Sequence, residues 1–133
     1  MGEAFVRWAG SRTFIGKDST QHTVLMSSKE DGVGMKASEL LLVALATCSA
    51  FDVVSILEKR KVKLTRLEVA ASGEQDADPP WAYRKIHLKY MLAGEGLTEE
   101  AARKAIELSE SKYCSVAATV RGVAEITWEC VVE

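Results

Sequence analysis

The sequence predicts a single α+β domain over residues 1–133, on three observations. Short segments at both ends alternate apolar and polar residues, a long apolar stretch fills the middle, and turn-forming residues separate them. At 133 residues the chain has an ordinary domain's length and can bury a core. Its first 30 residues read as a meander: Ala4 to Trp8, Thr13 to Ile15 and His22 to Met26, with turns at Gly10-Ser11 and Lys17-Asp18-Ser19. Asp31-Gly32-Val33-Gly34 is a loop. Ser38 is the expected N-cap of a helix from Glu39 to Arg60, whose apolar first four turns mark burial on most sides. Leu67, Val69 and Ala71 alternate in one strand, and Ile86, Leu88 and Tyr90 in a second, with a loop expected over 73–82. Thr98 caps a helix opening at Glu99-Glu100, and Ser111 reads as the cap of a short helix through Cys114 and Val116. Ala124, Ile126, Trp128, Cys130 and Val132 share one face of a last strand. The order is βββ-α-ββ-α-α-β.

Composition narrows the function. Lys plus Arg total 17 and Asp plus Glu 19, a net charge of -2, which argues against a nucleic-acid binder. The densest basic cluster is only Lys59-Arg60-Lys61, too little for a polybasic membrane anchor. Between Leu40 and Leu57 the unbroken apolar run stops at Ala46, well short of the roughly 20 residues a bilayer span needs. Met1 to Trp8 lacks the apolar core of a secretion signal, so a cytoplasmic address is expected. Three cysteines without a C-x-x-C pair predict neither a disulfide framework nor a zinc knuckle, and His22 and His87 suggest no metal site.

The cysteines carry the chemistry. Cys130 lies among core residues and reads as a small hydrophobe. Cys48, Asp52, Ser55 and Lys59 fall at i+4, i+3 and i+4 steps, one polar seam on an apolar helix. Such a seam needs partners or water, so it marks a pocket. Asp52 by itself would raise the thiol's pKa, so a reactive Cys48 calls for a nearby cation. Cys114 is expected in the first turn of its helix, where free N–H groups favour a thiolate. An inert packing role is the alternative for both.

The run Ser38-Glu-Leu-Leu-Leu-Val-Ala-Leu-Ala-Thr-Cys48-Ser-Ala-Phe-Asp52-Val-Val, with Ser111-Lys-Tyr-Cys114-Ser-Val downstream, resembles the OsmC/Ohr family. The opening from Val6-Arg7-Trp8 to His22-Thr23-Val24 resembles that family's N-terminal meander, so the likeness covers essentially the whole chain. The resemblance implies an OsmC-like fold in an intertwined homodimer, its long helices central. It implies thiol-dependent reduction of organic hydroperoxides in oxidative-stress defence: Cys48 attacks, Cys114 resolves, and an external dithiol, such as a lipoylated protein, reduces the disulfide. No cofactor or metal is implied.

The family site also uses an Arg from the meander and a Glu at the start of the long helix. Arg12 matches the first; its alternative is a solvated turn residue. Glu39 is the nearest carboxylate to the second but stands nine residues before Cys48, one closer than in the family pattern, with Ser38 at the family position. One residue turns a helical side chain by about 100°. Two other readings use the same residues: a non-catalytic dimer binding a small apolar ligand, and a redox sensor whose signal is the Cys48–Cys114 disulfide.

Overall fold

The computed structural model describes residues 2–133. In order the elements are β1 (Ala4–Trp8), β2 (Thr13–Asp18), β3 (Thr23–Ser27), α1 (Ala37–Lys59), β4 (Lys63–Gln75), β5 (Tyr83–Glu95), α2 (Glu99–Leu108), α3 (Ser115–Val120) and β6 (Glu125–Val132). A π-helical turn, Ser109–Tyr113, follows α2 directly. The α+β class and the expected order both hold. The residues group into two compact units, one ending at Leu41 and the other spanning Leu42–Glu133.

The first unit is an antiparallel meander, β1-β2-β3. Gly10 (φ 99) and Ser11 (φ 46) turn the chain between β1 and β2, a left-handed conformation that glycine adopts without strain. Register follows from that turn, pairing Trp8 with Phe14 and Ala4 with Asp18. The Asp31 carboxylate ties the turn down. It accepts from the Ser11 hydroxyl at 3.0 Å, the Arg12 N–H at 2.8 Å and the Thr13 hydroxyl at 2.8 Å. These donors, Thr13 foremost, hold the Asp31 pKa below the usual carboxylate range.

The second unit is a sheet in the order β4-β5-β6. β4 and β5 form an antiparallel hairpin, whereas β6 lies parallel to β5. A parallel neighbour needs a crossover, which α2, the π-helical turn and α3 provide. Along β5, Ile86, Leu88, Tyr90 and Leu92 are buried while Lys85 and Lys89 are not, as the alternation predicts. α1 contributes Leu42, Leu45, Ser49, Val53 and Leu57 to the same core, at steps of three and four. Each fully buried leucine there stabilises the fold by about 1.5–3 kcal/mol.

Several boundaries differ from expectation: β2 runs on through Lys17 and Asp18, where a turn is expected, because both pair with β1. α1 begins at Ala37 because the Lys36 carbonyl accepts from the Glu39 and Leu40 N–H groups, which places Ser38 inside the first turn. β4 continues through Gly73–Gln75, where the sequence pattern predicts a loop. A Cβ on Gly73 would lie 2.6 Å from the Tyr83 ring, so glycine here serves close packing inside a strand. Ser111 caps nothing: its hydroxyl donates to the Glu107 carbonyl at 2.7 Å, and Cys114 is the N-cap of α3.

By length and composition, α1 is also long and apolar enough to cross a bilayer. Counting unbroken apolar residues understates this, because Asp52 is the only charged residue between Leu40 and Leu57 and the other interruptions are weakly polar. In the protein one face of α1 lies in the core of the second unit.

Candidate functional site

Cys48 lies on α1 beside the start of α3, its sulfur 3.9 Å from the Ser115 hydroxyl. The π-helical turn creates this meeting. Its wide ring closes with the Cys114 N–H donating to the Ser109 carbonyl at 2.9 Å, leaving Cys114 extended at the head of α3. The Cys114 sulfur accepts from the Ala117 N–H at 3.3 Å, a thiol in the place of a capping hydroxyl. Cys114 is 3% exposed and Cys48 half-buried.

Each thiol influences the ionisation of the other, and the two are driven apart. Burial alone would raise Cys48, but the Val116 N–H, the Cys114 thiol, and the side chain and N–H of Ser115 outweigh it, so its pKa falls below the ordinary thiol value. Burial likewise raises Cys114, only partly offset by the Ala117 N–H. Donation to Cys48 and the charges of Cys48 and Glu110 raise it further, to about 12. The leading stabilisers of a Cys48 thiolate are therefore hydrogen-bond donors at the head of α3, where the sequence pattern called for a cation. Cys114, expected to favour a thiolate, instead keeps its proton.

One residue along α1, Ser49 belongs to a different site. It is fully buried, 2.5 Å from the Tyr90 hydroxyl and 3.0 Å from that of Ser109. Ser109 donates to Asp52 at 2.8 Å, and the Tyr90 hydroxyl lies 3.3 Å from a Glu110 carboxyl oxygen. Desolvation pushes Glu110 above the usual carboxylate range and Tyr90 above the ordinary phenol. Sequence reasoning singled out Asp52 but missed Ser49, Ser109, Glu110 and the hydroxyl of Tyr90. The available signal was Ser49 itself, a hydroxyl at the centre of an otherwise apolar helix face.

Of the expected polar seam, three residues line a pocket and Cys48 does not. Asp52, Ser55 and Lys59 border a groove of about 380 Å³ with Phe51, Leu108 and Tyr113. Arg12 and Glu39 lie in the first unit. Arg12 is exposed, its backbone fixed by Asp31 and its carbonyl accepting from the Ser28 N–H at 3.0 Å; Glu39 is exposed and ion-paired with Lys36 at 2.8 Å. Cys130 is half-buried against the core beside Trp128, as expected. Among the described residues no cluster of His, Cys, Asp or Glu could hold a metal.

This order of strands and helices, with one thiol on α1 and a second at the head of α3, defines an OsmC-type protein. The OsmC-like protein family model matches residues 29–129, and the chain belongs to that family. It is similar to protein YhfA of Escherichia coli K12, 34% identical over 125 residues that cover 94% of this chain and 93% of YhfA. Among solved structures, a hypothetical protein of Aquifex aeolicus is 30% identical with a TM-score of 0.85, covering 100% of this chain and 98% of that one. The organic hydroperoxide resistance protein OhrB of Bacillus subtilis shares the fold at a TM-score of 0.65 and 13% identity, covering 98% of each chain.

Proposed function

We propose that this protein is a two-cysteine thiol peroxidase that reduces organic hydroperoxides in oxidative-stress defence. The observation that carries the reading is Cys48 seated at the head of α3, its sulfur 3.9 Å from Ser115, the residue after the N-cap Cys114. There, N–H and hydroxyl donors favour a Cys48 thiolate while burial pushes Cys114 up to about 12. A Cys48 thiolate attacks the distal oxygen of R–O–O–H. The O–O bond breaks, Cys48 becomes a sulfenic acid, and the leaving alkoxide takes a proton to become the alcohol. The Cys114 S–H then condenses with Cys48 S–OH, forming the disulfide and one water, and an external dithiol reduces the disulfide. Oxidation of Cys48 removes the negative charge that helps raise Cys114, so the Cys114 proton passes to the departing hydroxide as its sulfur attacks. Family membership and the likeness to OhrB support the choice of organic hydroperoxide as substrate.

The reading carries a cytoplasmic homodimer with it. Val43 and Phe51 on α1 are 43% and 70% exposed, apolar surface that a second copy would cover. A monomer by light scattering would overturn that part. The roles of Arg12 and Glu39 rest on the family resemblance, and Arg12→Ala and Glu39→Gln test them by the rate of attack.

The deciding experiment is single-turnover oxidation of the reduced protein by one equivalent of cumene hydroperoxide, compared with hydrogen peroxide. The expected result is rapid loss of two thiols per chain with the organic peroxide, abolished by Cys48→Ser. Slow, unselective loss would favour a second reading, a dimer that binds a small apolar ligand without turnover. The groove beside Asp52, with Phe51, Leu108 and Tyr113 in its wall, supports that alternative.

A further inference from the structure

The buried hydroxyls behind α1 raise a question of proton supply. Five groups stand in series: Glu110, Tyr90, Ser49, Ser109 and Asp52. Their four oxygen–oxygen contacts are 3.3, 2.5, 3.0 and 2.8 Å in that order. Three of the groups are hydroxyls with one proton each, and the two ends are carboxyls. If both ends are ionised, three protons serve four contacts, and one contact sets two lone pairs face to face with no hydrogen between. Ser109 cannot donate its single proton to both Ser49 and Asp52. Tyr90, Ser49 and Ser109 are fully buried, and such a defect is costly out of water.

One added proton removes the defect. With a proton on Glu110, every group donates in one direction: Glu110 to Tyr90, Tyr90 to Ser49, Ser49 to Ser109, and Ser109 to the Asp52 carboxylate. We propose that Glu110 is protonated at neutral pH and heads a one-way hydrogen-bond chain that ends on the Asp52 side chain at the groove. The longest contact, 3.3 Å, is the one at Glu110, where the missing hydrogen belongs.

The surroundings of both ends agree with this. The Glu110 side chain is 11% exposed, and burial is the largest influence on it, raising its affinity for a proton; the charge of Asp52 on α1 acts in the same direction. Against them stand the hydroxyls of Tyr90 and Ser49 and, from the end of α3, the Arg121 guanidinium, 4.0 Å from the carboxyl and also donating to the Glu110 carbonyl. Asp52 opens onto the groove that also holds Lys59 and Arg60. The protonation of Glu110 does not depend on the peroxidase reading.

The test uses infrared spectra of the reduced, full-length protein at neutral pH, with no peroxide present, so its failure is separate from failure of the peroxidase reading. The expected spectrum contains a protonated-carboxyl C=O stretch that is lost in Glu110→Gln and moves to higher frequency in Tyr90→Phe, which removes its acceptor. Absence of that band from the wild type overturns the proposal. So does a band that survives Glu110→Gln and vanishes in Asp52→Asn, which would put the proton on the other end. Stability gives a second readout, because the side-chain amide introduced by Glu110→Gln donates an N–H to Tyr90 at every pH. A group whose pKa is raised by folding contributes stability that is lost as pH rises toward the folded value. Relative to Glu110→Gln, the wild type's folding equilibrium should therefore fall by up to tenfold per pH unit above about 4.3, then level off once the proton leaves. A wild type that gains on the variant as pH rises overturns the proposal.

Discussion

Cys48 and Ser49 are neighbours in the chain, yet they serve sites built on different terms. Cys48 sits half-buried where the head of α3 offers backbone N–H groups, so a negative charge there finds donors already fixed in place. Ser49, about 100° further round the helix, is sealed in the core, where every contact is between groups that donate and accept alike. The first site accommodates an anion. The second needs a proton. A fraction of a helical turn thus separates two ways of keeping a polar group in a protein interior: aim the backbone at it, or supply enough hydrogen to complete a chain.

Breaking the first side should give the largest effect. Cys48→Ser is expected to reduce peroxide-dependent thiol loss to the uncatalysed level in the single-turnover assay, while the fold, judged by circular dichroism, stays intact. Cys114→Ser should leave the attack itself fast but cut the yield from two thiols per chain to one, with a sulfenic acid trapped by a dimedone probe. Equal loss of the first step in both variants would show that the thiols do not divide the work.

The next effect sharpens the contrast in pH. Alkylation of Cys48 should begin below the pH at which an ordinary thiol reacts, because donors lower its pKa in spite of burial. Cys114, raised mainly by burial to about 12, should stay unmodified until the protein unfolds. Sign matters for stability as well. A thiol whose folded pKa lies above its unfolded value of about 8.5 stabilises the protein fully below that pH, and the contribution is lost as pH climbs toward 12. Cys114→Ser should flatten that alkaline loss, read from melting temperature against pH.

On the other side of α1, Tyr90→Phe leaves Ser49 and Glu110 each short of a partner, at a cost of about 1–3 kcal/mol by chemical denaturation. It should leave the alkylation pH of Cys48 where it was; a shift would mean that the two sites are one. Smallest of all, Thr98→Ala removes the cap whose hydroxyl accepts from Ala101 at 3.1 Å and should cost about 1 kcal/mol. It touches neither region, and so measures the background against which the others are read.

Most of the architecture was legible in the chain alone. Alternation in β5 and β6 and the cap at Thr98 are local signals, and local signals survive folding unchanged. Cys48 and Cys114 were legible as residues, through their spacing and through resemblance to a family. Their opposite ionisation was not. Spacing along one chain carries no information about which N–H groups will face a sulfur, and Ser111 looked like the better cap until the π-helical turn moved that role to Cys114. Nothing in the sequence pattern marked Glu110. It took the packing of α1, β5 and the π-helical turn to bring it to Tyr90 and into a closed chain with Ser49, Ser109 and Asp52. The difference is one of range: helix and strand periods act over a few residues, whereas desolvation and hydrogen bonding depend on whatever the fold brings within about 3 Å.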